Sequence, residues 1–565
     1  WHDNADAALP DTNLNETMNP HMRRAAPAAA AQGPQQHDLN GLSRRELAKT
    51  AFGLAAVAFV FGSAACTSVA DKIGPGEKFS TNPFTLGVAS GWPGPDSVVL
   101  WTRLATSPWL PDGGLQPQPA PLRWEVAEDE KFTRIVRSGL VQALPVRAHA
   151  VHVKVSGLLP ARWYWYRFIA NPGSQGVASP AGRTRTGAGP TQPMNSLTVV
   201  AASCQHYERG HFAALRHLAD ESPDLVVFLG DYIYESNLAR PPARRHWSPV
   251  PRDLAGYRLR YAQYRTDPDL QRAHAVAPWL LTWDDHEVEN DYANETSQGL
   301  DPNFLQRRAA AYLAWFEHMP IDPGLLPSGP SMRIYEGFGF GDLASFQMLD
   351  CRQYRSPQAC PKPGRGGSNV VQSCPAMYEA SRTMLGAQQE RWLAGQLRAS
   401  RARWNLIGQS TLFSRFDSLP GPGERIWTDG WSGYPAAQQR LVDELRTSRV
   451  RNPVILGGDV HANYVADVKA DFTHPGSPTV ATEFCVTSIT SSSMSQAKID
   501  AALPDNPHIR LGEGSRRGYL WLEIKPQRCE ARLRTISDPR DPQATVATRA
   551  SFVVESDRPG AQRIG

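Results

Sequence analysis

Residues 224–235 read Asp-Leu-Val-Val-Phe-Leu-Gly-Asp-Tyr-Ile-Tyr-Glu. Five consecutive apolar residues, Leu225–Leu229, predict a short strand buried on both faces, as in a parallel sheet covered by other layers. Gly230 permits a tight turn immediately afterwards, so Asp231 and Tyr234 emerge just past the strand's C-terminal end. In α/β folds, reactive groups collect at that end. A buried strand that delivers an acid and two tyrosines in this way predicts a site for a metal or a phosphate.

The pattern recurs on both sides of this stretch. An apolar run at 197–202 ends in Ser203-Cys204-Gln205, and one at 279–283 ends in Asp284-Asp285-His286-Glu287. Further strand signals lie at 343–349, ending at Asp350, at 404–408, and at 453–456, which ends in Gly457-Gly458-Asp459-Val460-His461. Helical periodicity at 210–219, 253–265, 304–317 and 386–399 separates them, and strand signal returns at 519–524 and 531–537. Strand, helix, strand with acids at the strand ends predicts an α/β domain over 190–555. Ahead of it, short runs at 84–90, 97–104, 122–126, 148–155 and 162–169 are punctuated by Gly, Pro and Asp. They predict a small antiparallel β-sandwich over 80–185, with 181–190 as the linker.

Length and composition bound the rest. A chain of 565 residues, 41% hydrophobic and 20% charged, has material for at least two domains. The net charge of +4 is the balance of 59 basic and 55 acidic groups spread along the chain, so no nucleic-acid-binding module is expected. A monomer is expected. Residues 1–40 carry Ala, Asn, Pro and Gln without periodicity and predict a disordered extension. Arg44-Arg45 precede the moderately apolar run 51–65, and residues 41–66 read as a twin-arginine export signal rather than a spanning helix. The twin-arginine machinery is therefore an expected partner, and the destination periplasmic or extracellular. Cys66 follows two alanines, which raises lipidation as an alternative end for this segment.

Four strand ends thus bring Cys204, Asp231 with Tyr234, Asp285 with His286, and Asp459 with His461. Any one aspartate at a strand end reads equally well as a helix cap or turn residue. Four such strand ends at crossover-sized intervals predict convergence on one crevice. Carboxylate oxygens suit Ca²⁺, Mg²⁺ or Mn²⁺. A thiolate and a phenolate donate charge to a trivalent ion, which favours Fe³⁺ over Zn²⁺ near Cys204 and Tyr234. An iron-bound hydroxide is then the expected nucleophile, with neighbouring divalent ions polarising the phosphoryl oxygens.

The motifs resemble those of the PhoD-type alkaline phosphatases, calcineurin-like metallophosphoesterases related to purple acid phosphatases and to iron-dependent secreted phospholipase D. The resemblance rests on Ala202-Ser203-Cys204-Gln205, Leu229-Gly230-Asp231-Tyr232-Ile233-Tyr234-Glu235, Trp283-Asp284-Asp285-His286-Glu287-Val288-Glu289-Asn290, Leu349-Asp350-Cys351-Arg352-Gln353-Tyr354-Arg355 and Gly458-Asp459-Val460-His461. It implies an α/β metallophosphoesterase domain of layered sheets flanked by helices, preceded by a small fibronectin-like β-sandwich. It implies Fe³⁺ on Cys204, Asp231 and Tyr234, with Asp231 shared with Ca²⁺. Asp285, Asn290, Asp459 and His461 complete the implied metal set, with Asn290 and Asp459 open to a supporting role instead. His286 either protonates the leaving group and steadies the phosphoryl group, or orients a carboxylate.

The implied activity is that of a secreted phosphomonoesterase with phosphodiesterase capacity, acting on phosphate-ester small molecules. A phospholipase D-like diesterase is the alternative, which an apolar rim near the site would favour; Trp279, Trp283, Phe413, Trp427 and Trp431 are the aromatics available for one, their placement left open by the sequence. A catalytically dead adhesion module is a third reading, opposed by the retention of every motif acid. Arginines 240, 244, 245, 252 and 258 read either as an anion-attracting mouth or as surface charge, and Arg352 as a buried structural pair beside Asp350. Loops 360–380 and 412–436 are expected to roof the pocket. Seven cysteines include no C-x-x-C pair, and Cys360 with Cys374 is the expected disulfide.

Overall fold

The computed structural model describes residues 79–565 apart from 173–175 and 239–240. The extension at 1–40 and the export segment at 41–66 lie outside the described residues. Two sheets face each other, each covered by helices on its outer side. The first has ten strands. Leu197–Ala202, Leu225–Leu229 and Trp279–Thr282 run parallel at its centre. Four late strands, from Gly518–Ile524 out to Arg558–Arg563, extend it antiparallel on one side. The second has seven, with Ala344–Met348, Trp404–Gly408, Pro453–Gly457 and Thr479–Cys485 parallel.

Apolar side chains alternate between two cores. Val199, Ala201, Val227, Leu229 and Leu280 point at Phe346, Leu406, Leu456 and Phe484 of the opposite sheet. Val200, Ala202, Val226, Phe228 and Trp279 point the other way, against the helices Ala213–Asp220, Leu254–Arg265, Pro268–Val276 and Phe304–His318. Ile407 and Ile455 pack under the helices Gly386–Ala399 and Pro435–Ser448. Being buried on both faces, the central strands have no polar alternation, which is why their sequences are continuous apolar runs.

The strands of residues 80–185 divide between two layers. Ala120–Ala127, Ile135–Ala143, Trp163–Ala170, Val177–Ala178 and Gly182–Arg185 form a five-stranded antiparallel sheet. Val88–Gly91, Val98–Arg103 and Ala150–Val155 instead continue the ten-stranded sheet, with Gly91 paired in parallel to Trp279. Valines 88, 98, 153 and 155 and Leu100 meet Leu122, Val126, Tyr166 and Phe168 across the gap. Ala89 and Trp101, on the other face, pack toward Ala262. The Trp101 indole N–H donates to the Glu317 carbonyl at 3.0 Å. A Cβ at Gly91 would lie 2.3 Å from the Pro320 carbonyl oxygen, so only glycine permits this approach. Among the described residues no helix is long and apolar enough to cross a membrane.

Candidate metal centre

Both sheets present the C-terminal ends of their parallel strands to one place. The first supplies the turns after Ala202, Leu229 and Thr282, and the second the turn after Gly457. The expected layered sheets are present, and Asp459 and His461 come from the sheet that faces Cys204 and Asp231. Cys204, Asp231, Asp459 and His461 all take left-handed backbone angles, with φ of 59°, 55°, 67° and 58°. For residues with a Cβ each such conformation costs roughly 1–2 kcal/mol, and its occurrence at four candidate ligands marks turns bent so as to aim side chains.

Glu287 clips two of these turns together. Its carboxylate accepts the N–H groups of Tyr232 at 2.6 Å, Asp284 at 2.8 Å and Asp231 at 3.2 Å. Cys204 N–H donates to the Gly230 carbonyl at 3.1 Å, tying the first turn to the second. Thr411 Oγ1 donates to Asp459 at 2.7 Å and Ser410 Oγ to Asp284 at 2.8 Å.

The donor atoms converge. Ligating atoms of Cys204, Asp231 and His461 lie within 4.8 Å of one another, as do those of Asp231, Asp285 and His286, and of Asp231, Asp284, Asp285 and Asp459. Asp231 is common to all three groups. Tyr234 Oη donates to Asp231 at 2.8 Å and lies 3.0 Å from His461 Nε2. Ser491 Oγ donates to Tyr234 Oη at 2.7 Å, and His461 Nδ1 meets the Ser492 carbonyl at 2.6 Å. His286 Nδ1 is paired to Glu235 at 2.6 Å, and its ring lies 4.2 Å from that of Tyr234.

The electrostatics are those of a cluster built around positive charge. Burial pushes the carboxyls of Asp231 and Asp284 well above the usual range; His286 and Arg352 respectively oppose this, and the neighbouring acids add to it. Burial and then Asp231 raise the Cys204 thiol and the Tyr234 phenol well above their ordinary values. For His286, burial disfavours the charged ring, but Glu235, Asp285 and Asp231 outweigh it and raise its pKa well above 6.5. Buried Arg352 pairs with Asp284, Asp285 and Asp429, and Asp429 also holds Arg355 at 2.7 Å.

The structure thus brings together Cys204, Asp231, Tyr234, Asp285, His286, Asp459 and His461. Asn290 sits beside them, its backbone N–H donating to Glu235 at 2.9 Å. Asp284 was legible only as half of an acid pair, and Glu287, Ser410, Thr411 and Ser491 carried no signal beyond their place in or near the motifs. Arg352 is a buried pair as expected, but with Asp284 and Asp429; Asp350 accepts only its backbone N–H, at 2.9 Å. Of the arginines expected at the mouth, Arg244 lies 3.7 Å over the Tyr207 ring and pairs with Asp267, and Arg258 pairs with Glu317. Arg240 lies outside the described residues. Loops 360–380 and 412–436 reach the site's outer layer, through Ser368 bonded to Asp291 and Asp429 bonded to Arg352. Of the aromatics weighed for an apolar rim, Trp427 lines a small apolar pocket with Leu412, Phe416 and Val460. Trp279, Trp283, Phe413 and Trp431 are at most 1% exposed and Trp427 is 7% exposed. Cys360–Cys374 is the disulfide, and Cys204 is a free thiol.

A sequence model described as "PhoD-like phosphatase" matches residues 198–533, the stretch that carries every donor above. The chain belongs to the PhoD-like phosphatase family. A second model, "PhoD-like phosphatase, N-terminal domain", matches residues 68–188. "Alkaline phosphatase D" of Bacillus subtilis (strain 168) is 42% identical over 504 residues, covering 87% of this chain and 84% of that protein. A solved structure described as "Structure of PhoD" is 41% identical with a TM-score of 0.82, covering 86% of this chain and 93% of that one. The PhoD-like fold therefore extends over both β-rich layers and the donor cluster alike.

Proposed function

We propose that the protein is a metal-dependent hydrolase of phosphate esters, a phosphomonoesterase with phosphodiesterase capacity. The observation that carries this is the buried donor cluster in which Asp231 belongs to every group. Asp231 Oδ1 and Asp284 Oδ2 are buried without a hydrogen-bond partner. Four buried carboxylates, with Arg352 and His286 as cationic neighbours, favour bound cations, because like charges at this spacing would otherwise take up protons.

The residues fit two kinds of metal. Cys204, Asp231, Tyr234 and His461 would hold Fe³⁺, since thiolate and phenolate donors favour a trivalent ion. Asp231, Asp284, Asp285, Asp459 and Asn290 would hold Ca²⁺ through hard oxygens. When bound, these ions supply Lewis acidity toward phosphoryl oxygen and lower the pKa of coordinated water. The side chains do the rest. Glu235 orients His286 through Nδ1 and favours the charged ring, so the opposite nitrogen, Nε2, is the atom we assign to the substrate. There it would donate a proton to the leaving alkoxide or steady the phosphoryl group. Arg352, paired with both, holds Asp284 and Asp285 in place.

In this reading residues 80–185 form a fibronectin-like sandwich and 190–555 the catalytic domain, the two joined through a shared sheet. Membership of the PhoD-like family and the Arg44-Arg45 pair support export by the twin-arginine route. The Cys360–Cys374 disulfide suits an oxidising compartment outside the cytoplasm. A monomer remains the expected state. Four of the five aromatics weighed for a phospholipid-binding rim are buried in the core, while Trp427 lines a small apolar pocket with Leu412, Phe416 and Val460, next to His461.

Hydrolysis of p-nitrophenyl phosphate, bis-p-nitrophenyl phosphate and phosphatidylcholine by the purified protein tests the reading. Activity on the first two, abolished by chelation and restored by added iron and calcium, is expected. Turnover of phosphatidylcholine alone, or activity indifferent to chelation, would overturn it.

A further inference from the structure

A polar pocket of about 420 Å³ opens beside the donor cluster. Its floor is the turn that supports the cluster: Ser491 bonds Tyr234, and the Ser492 carbonyl holds His461. Thr490 Oγ1 donates to the His206 carbonyl at 2.8 Å, which locks this floor to the turn after Cys204. Around it stand Arg209, Arg517 and Arg540, with serines 492, 493, 495 and 515. The Arg517 guanidinium is buried, and its donors go to the carbonyls of His461, Gly514 and Ser491 and to Ser488 Oγ. With its donors taken up in this way Arg517 braces the pocket wall, with Glu513 as the nearby acid. Arg209 donates to Ser492 Oγ at 2.7 Å and Arg540 is exposed at the rim. The one carboxylate lining the pocket, Glu208, accepts the N–H groups of His246 and Leu238. Among the described residues no aromatic ring lines the pocket, so none of them stacks on a nucleobase or an aryl leaving group.

Resting on the phosphatase reading above, we propose that this pocket is a subsite for a second phosphate of the substrate, carried by the leaving group. The guanidinium groups of Arg209 and Arg540 and a run of hydroxyl donors suit a dianion. An aliphatic carrier, rather than a flat ring, suits walls made of serine, proline, leucine and methionine. The preferred substrates are then aliphatic bisphosphates rather than monoesters of neutral alcohols.

A matched pair isolates the second phosphate: fructose 1,6-bisphosphate against fructose 1-phosphate, with p-nitrophenyl phosphate as a third substrate. The native protein is expected to show a higher kcat/KM on the bisphosphate than on fructose 1-phosphate. In the Arg209→Ser/Arg540→Ser protein that preference falls about tenfold, through KM, with fructose 1-phosphate and p-nitrophenyl phosphate affected far less. Calorimetric titration of fructose 1,6-bisphosphate into chelator-treated protein gives a readout independent of turnover, and weaker binding to the double variant is expected. Equal losses on all three substrates would identify the arginines as general attractors and overturn the subsite. An unchanged preference together with unchanged binding would overturn it as well. Failure of the metal-loaded native protein on every substrate would instead strike the phosphatase reading, with the titration still deciding the pocket.

Discussion

Asp231 links the two halves of the cluster. It is the one side chain within reach of the thiol and imidazole on one side and of the other carboxylates on the other. Away from the cluster, Glu483 offers a test of the same burial physics. Its carboxylate accepts the N–H groups of Phe413 at 2.6 Å and Ser414 at 2.7 Å, yet burial prevails and raises its pKa from 4.5 to about 7. The folded state therefore holds this proton more tightly than the unfolded chain does. Its contribution to stability is full below pH 4.5 and is lost as pH rises through 7, by at most about 3 kcal/mol. Urea unfolding at pH 5 and pH 8 should show a smaller decline in Glu483→Gln than in the native protein; equal declines would refute the assignment. At this scale Cys204, Asp231, Tyr234, Asp285 and His461 were legible because their chemistry is unusual directly after an apolar strand. Glu287 and Thr411 were not, because what they do is accept three backbone N–H groups or donate one hydrogen bond, and residue type says nothing about which partners those will be.

The turns between elements are as decisive as the elements. Gly230 has a φ of 98°, and a Cβ there would lie 2.7 Å from Asp284 Cβ and 2.8 Å from Asp284 N. Gly230→Ala should therefore separate the Asp231 turn from the Asp284 turn, at a cost of at least about 2 kcal/mol. Thermal unfolding and residual metal content would register both effects, and a variant with native melting temperature and metal content would contradict this account. Trp404–Gly408, buried throughout, and Gly386–Ala399, a helix that buries Gln389, Leu393 and Leu397, were read almost to the residue. Pro435–Ser448, Asn463–Lys469 and Val546–Glu555 went unread. The first is a polar helix with a narrow apolar stripe, and the last an outer strand whose exposed half carries Thr and Arg. Ile135–Ala143, exposed along most of its length, gave no core-facing pattern at all.

For the whole molecule, the shared sheet makes the N-terminal region part of the catalytic fold. Gly91 pairs with Trp279, Trp101 bonds the Glu317 carbonyl, and Arg103 lies 2.8 Å from His318 across the same junction. A chain beginning at residue 190 would leave the Trp279–Thr282 edge bare and a tryptophan site empty. It should be insoluble or unfolded by circular dichroism, and a soluble, active fragment would contradict the shared layer. The sequence could not reveal this sharing, because strand pairing across some 190 residues leaves no local pattern. The central claim, that one buried aspartate serves two kinds of metal, is tested most directly by elemental analysis of the purified native, Cys204→Ser and Asp231→Asn proteins. The account predicts iron and calcium in the native protein, loss of iron with retention of calcium in Cys204→Ser, and loss of both in Asp231→Asn. Zinc in place of iron in the native protein, or an Asp231→Asn protein that keeps either metal at native level, would contradict it.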